Sequence, residues 1–166
     1  MKRSLAFVAL LAVFTASACT AAPAGTAYTS PLGYTITLPQ GWKMLTETGA
    51  ESFFTRAGGE DSTGASVGLR DASADLYGER VVKMIDLSDV KVTKDAKSKH
   101  FGMPARVIVA NASSEGDKLL VRAIAIKPSV SSKVFMFQVW GKPEAMKDSA
   151  MKAEIKVMFD SFKPSK

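Results

Sequence analysis

Residues 105–126 read ARVIVANA-SSEGD-KLLVRAIAI: two apolar runs rich in β-branched residues, separated by five turn formers. That pattern predicts an antiparallel hairpin of strands Ala105–Ala112 and Lys118–Ile126. Val107-Ile108-Val109 is apolar on both strand faces, and Phe135-Met136-Phe137 repeats the feature in the next predicted strand, Lys133–Trp140. Strands of this kind need cover on both sides.

Working outward, Val90–Ser98 is a strand before the hairpin, and Lys127–Ser132, with Pro128, joins the strands after it. Further upstream, Tyr34-Thr35-Ile36-Thr37-Leu38 alternates apolar and polar side chains, as a half-buried strand does. Pro39-Gln40-Gly41 ends it, and Trp42 follows as an aromatic that can fold back over the sheet. Ser52–Arg56, carrying Phe53 and Phe54, and Ala65–Arg70 are two more strands around the loop Gly58–Gly64.

Two segments change period. Leu76, Tyr77, Arg80, Val81, Met84 and Ile85 fall on one helical face, with Ser73 as the N-cap. Gly78 weakens that helix by up to about 1 kcal/mol relative to alanine. In the last segment Met151, Ile155, Met158, Phe159 and Phe162 recur at three- and four-residue intervals, while Lys147, Lys152, Glu154 and Lys156 are expected largely elsewhere. Pro164 lies just past its end. Two principal helices and about seven strands predict an α+β sandwich, a mainly antiparallel sheet with helices packed against it. A folded part of about 140 residues buries about 68% of its unfolded surface, enough for one core without staples.

The first residues give an address. Lys2 and Arg3 precede an uncharged, mostly apolar run from Leu5 to Phe14, and small residues follow at 16–18. These are the parts of a secretory signal, and the run is shorter than the roughly 20 residues of a membrane span. Ser17-Ala18-Cys19 resembles a bacterial lipobox, in which the cysteine is lipidated and becomes the new N-terminus; Ala16 stands where leucine is usual. The expected organisation is a signal peptide over 1–18, a flexible tether over 19–27 and one domain over 28–166, with Cys19 as the lipid attachment site. By resemblance to lipoprotein sorting, Thr20 after the cysteine, where aspartate is absent, implies the outer membrane in a cell that has one. Ala16-Ser17-Ala18 also satisfies an ordinary signal peptidase, which would leave the protein soluble in the periplasm.

Composition narrows the chemistry. The 166 residues hold one cysteine and one histidine, which excludes disulfide scaffolds and multi-His metal sites within a chain. Without Lys2 and Arg3, 20 basic residues face 16 acidic ones, a net charge of +4. The main basic cluster is Lys91, Lys94, Lys97, Lys99 and Arg106, with Asp95 and His100 among them. Alternation on a strand splits these between two faces, so they read as edge-strand lysines that discourage aggregation, not as one lipid-binding patch. Nucleic acid is not an expected partner of an exported protein.

No catalytic pattern stands out. A hydrolase would have to use His100, which reads as a solvated turn histidine, and no G-x-S-x-G elbow is present. Asp71 and Asp75 suit a helix N-terminus; Glu60-Asp61 and Glu115 with Asp117 sit in loops, and the former lacks the spaced ligands of an EF-hand. Gly58-Gly59 and Gly64 match no phosphate-binding loop. Met84, Met151 and Met158 fall on apolar helical faces, as core residues do. Catalytic residues, cofactors and metals are therefore expected to be none.

Gly33-Tyr34-Thr35-Ile36-Thr37-Leu38-Pro39-Gln40-Gly41-Trp42 resembles the opening of PsbP-like domains and of DcrB-type bacterial lipoproteins, and Phe159-Asp160-Ser161-Phe162-Lys163 is similar to their closing helix. The resemblance spans roughly Tyr28 to Pro164. It implies an α/β/α sandwich and says little about activity, since such domains serve as assembly factors, small-GTPase binders and lipoproteins. The expectation is a non-enzymatic, lipid-anchored cell-envelope binding or assembly module with an envelope protein partner. The alternatives are a small-ligand carrier with a pocket between sheet and helices, and a hydrolase using His100.

Overall fold

The computed structural model describes residues 25–58, 63–71, 87–128 and 131–165. The leader with Cys19, the Glu60-Asp61 loop and the helix expected over Ser73–Ile85 lie outside the described residues. The chain runs through β1 (Gly25–Ser30), β2 (Tyr34–Pro39), β3 (Trp42–Glu47), β4 (Glu51–Arg56), β5 (Gly64–Asp71), β6 (Ser88–His100), β7 (Met103–Ser114), β8 (Asp117–Ile126) and β9 (Lys133–Gly141). It ends in α1 (Pro143–Lys147), α2 (Ser149–Ser161) and the two-residue β10 (Lys163–Pro164).

Seven strands form one antiparallel sheet in the order β3-β4-β5-β9-β8-β7-β6, and β1-β2-β10 form a second, smaller one. The hairpin expected over 105–126 is present, with Ser114 opposite Asp117 across Glu115-Gly116. Both turn residues have positive φ, 51° and 91°, the twist that a two-residue hairpin needs.

Cross-strand register sorts the large sheet into two faces. Val107, Ile124, Phe137 and Val67 lie in one row, and Ile108, Ala123, Gln138 and Ser66 in the next. The first row packs against Tyr34 and Ile36 of β2, Met146 of α1, and Ile155, Met158 and Phe162 of the final helical segment. The second face holds another buried cluster, including Ile108, Val121 and Met136. Both faces of the central strands are thus buried, as the doubly apolar runs required.

Helix α2 starts where Asp148 accepts hydrogen bonds from the Ala150 and Met151 amides at 2.9 and 3.0 Å. Such a cap satisfies amides that would otherwise lack a partner in the first turn. Burial matters more: Met151, Ile155 and Met158 are all buried, and each contributes about 1.5–3 kcal/mol relative to exposure.

The sheet has seven strands, but its membership differs from the sequence reading. Tyr34–Pro39 belongs to the small sheet, because Gly41, at φ 88°, turns the chain from one sheet into the other. Its place is taken by β3, an exposed edge strand without the apolar alternation that would have marked it. Strand β1 also begins before Tyr28, at Gly25. Gly25 to Ala27, expected in the flexible tether, instead pair with Pro39 to Thr37.

Candidate functional site

Between α2 and the β6–β8 end of the sheet lies a groove of about 490 Å³. That is within the range of small-molecule sites, about 300–1,000 Å³. On the sheet side its walls are Lys94 of β6, Val107 and Val109 of β7, and Arg122 of β8. Lys94 pairs with Val109 and Val109 with Arg122, so they form one continuous cross-strand row. On the helix side Lys152, Ile155, Lys156, Phe159 and Asp160 line it at i, i+3, i+4, i+7 and i+8, one helical face.

The groove is an apolar trough with a basic rim: four cations against the single carboxylate of Asp160, which pairs with Lys156 on the exposed helix surface. The Arg122 Nε is buried and has no hydrogen-bond partner among the described residues.

Two carboxylates hold the layers together elsewhere. Glu154 accepts from Trp42 Nε1 at 2.8 Å and takes the Arg56 guanidinium on both oxygens, each at 2.8 Å. Helix α2 is thereby clamped to β3 and β4. Burial alone would raise the Glu154 carboxyl, but the hydrogen bonds from Arg56 and Trp42 and the Arg56 charge hold it below the ordinary range. Glu47, at the end of β3, accepts from Tyr28, Ser30 and Ser52 hydroxyls at 2.9, 2.6 and 2.5 Å, joining the two sheets. Burial opposes ionisation there too, and the three hydroxyls outweigh it. Beside them burial pushes the Tyr34 phenol up to about 12.

A depressed carboxyl contributes stability that is fully present above the ordinary glutamate value of about 4.3 and is lost as pH falls through the lower folded value. The melting temperature is therefore expected to drop steeply below about pH 4. Glu47→Gln, which cannot titrate at that position, should flatten the drop; an acid limb identical to the parent's would contradict this wiring.

His100 is not the solvated turn residue expected. It is the last residue of β6, opposite the buried Met103, and its half-buried ring places Nε2 2.7 Å from the Phe162 carbonyl. The strand runs to the hairpin tip, so the ring falls on the inward face and ties β6 to the end of α2. The lysines divide as expected: Lys94 is in register with Val109 on the groove row, and Lys97 and Lys99 are in register with Arg106 and Pro104. Strand β6 is the sheet edge. Trp42 is buried in the core, and Trp140 packs, partly buried, on the second cluster. Met151 and Met158 are core residues. Glu115 and Asp117 are in or beside the β7–β8 turn. Cys19, Glu60, Asp61, Asp75 and Met84 lie outside the described residues.

Sequence reading missed Glu154 and Arg122, and misplaced the former. Glu154 occupies position i+3 of the stripe Met151, Ile155, Met158, so it was on the buried face all along. Arg122 alternates with Leu120, Ile124 and Ile126, a charge on the inward row of an apolar strand. Both anomalies were visible as breaks in period.

No family model matches the chain, and no curated protein matches it. Solved structures do. The fold is similar to the cyanobacterial PsbP (CyanoP) of Synechocystis, with TM-score 0.58 and 14% identity over 92% of this chain and 98% of that one. It is similar to the Saccharomyces cerevisiae Ran-binding protein Mog1p, with TM-score 0.58 and 6% identity over 84% and 95%. LpqN, involved in cell envelope biogenesis of Mycobacterium tuberculosis, matches with TM-score 0.55 and 14% identity over 85% and 91%. At these identities the likeness is one of fold. The architecture is α+β and PsbP-like.

Proposed function

We propose that this protein is an extracytoplasmic binding module of the DcrB-type lipoprotein kind, held at a membrane by lipid on Cys19, and that the α2 groove is its binding site. The observation that carries the reading is the groove, sized for a small ligand and combining an apolar trough with a basic rim. The role is binding, not catalysis. In support, the one histidine of the sequence is held against a backbone carbonyl, a positioning contact. The fold shared with LpqN, an envelope-biogenesis protein, and with the Ran-binding Mog1p is consistent with a recognition role in the envelope.

Among the described residues no helix is long and apolar enough to cross a membrane; the proposed lipid anchor rests on the lipobox-like Ser17-Ala18-Cys19. Cys19→Ala is expected to release the protein into the soluble envelope fraction, because stable attachment takes two or more acyl chains. Unchanged membrane retention would refute lipidation at this residue. Val109→Trp fills the groove from β7. Mass spectrometry of the natively extracted protein should find a small molecule with the parent and none with this variant; equal recovery from both would refute the groove.

A protein partner is a second reading, favoured by edge strand β3, where Met44 and Leu45 are 40% and 65% exposed.

A further inference from the structure

The groove's size says that something fits, and its charges say what. Strand β8 puts a guanidinium on its inward, apolar row at Arg122, where alternation calls for another aliphatic residue. Its Nε is buried without a hydrogen-bond partner among the described residues. An unpaired buried N–H is costly, because the protein interior has removed its water without replacing it. An oxyanion answers that need, since a guanidinium fork donates two parallel bonds to a carboxylate or phosphate. Lys94 stands on the same row across Val109, and Lys152 borders the groove from α2. Among the described residues neither has a carboxylate partner. Between the cations, Val107, Val109, Ile155 and Phe159 offer only hydrocarbon.

We infer that the groove binds a single-chain anionic lipid, an acyl chain ending in a carboxylate or phosphate oxyanion, with the headgroup at Arg122 and Lys94 and the chain along Ile155 and Phe159. The inference rests on the binding reading above and names its ligand. An acidic peptide fits less well. Peptides that add to a sheet need a flat, unguarded edge, and β6, which borders this groove, is bulged at two places and studded with lysines.

The test is calorimetric titration of the mature protein with four probes: laurate, dodecyl phosphate, dodecanol and inorganic phosphate. At least one of the two anionic chains is expected to bind about tenfold or more tighter than dodecanol or inorganic phosphate, and the tighter of the two identifies the headgroup. Arg122→Gln should weaken that binding about tenfold or more. If it fails to fold, Lys94→Gln with Lys152→Gln replaces it, with an expected weakening of about three- to tenfold that shrinks in high salt. Dodecanol binding as tightly as the anions would overturn the inference and leave the groove a binding site. Unchanged affinity in a folded Arg122→Gln variant would overturn it as well. A glutamate-rich peptide displacing laurate would transfer the site to a protein ligand and overturn it. A folded parent that binds none of the chains would overturn both this inference and the groove reading.

Discussion

Phe162→Ala is expected to lower the unfolding free energy by about 3–5 kcal/mol, measured by urea denaturation at neutral pH. Its ring is fully buried where α2 ends, with centroids 5.1 Å from Phe137, 5.5 Å from Tyr34 and 6.4 Å from Phe135. Truncation removes the apolar transfer energy and leaves a cavity that three rigid aromatic neighbours cannot collapse to fill. Aromatic pairs add about 0.5–1.5 kcal/mol beyond burial. The Phe162 carbonyl also accepts from His100, so a shift of this residue loosens the tip of β6. Phe162→Leu keeps much of the volume and should cost about 1–2 kcal/mol. A loss below about 1 kcal/mol for the alanine variant would show that the ring is not packed as described.

Glu154→Ala should rank next, at about 2–3 kcal/mol. Removing one partner of a buried pair costs more than the pair contributes, because the other charge stays behind unpaired. Here the loss strands the Arg56 guanidinium and the indole N–H of Trp42 together. The Arg56 side chain is 29% exposed against 10% for Glu154, so water partly screens it, which sets the estimate below that for a fully buried pair. Replacing Glu154 and Arg56 together by methionine should recover much of the loss. A double-mutant cycle measures this directly. Additive single effects would mean that the two groups do not act as a unit.

Much of the architecture was legible because it rests on period. Tyr34–Leu38, the 105–126 hairpin, Lys133–Trp140 and the closing helix each announced themselves by alternation or by three- and four-residue spacing. Strand β3 was hidden because an edge strand can be exposed nearly throughout, and β1 because GTAYTS is held by pairing with β2 and has little hydrophobic pattern of its own. The groove was harder still. Its charges come from β6, β8 and α2, and only register brings Lys94 and Arg122 to either side of Val109. His100 was misread for the same reason, since its partner is 62 residues away.

Strand β2 draws one partner from upstream and the other from far downstream, Thr35 and Tyr34 meeting Lys163 and Pro164. Closing so long a loop is slow, because its entropy is lost before any contact repays it. The small sheet therefore cannot be completed until residues 163–164 reach β2, and until then that edge of β2 lies unpaired. A chain cut short of that point would keep an open strand edge, the kind of template through which incompletely folded chains associate.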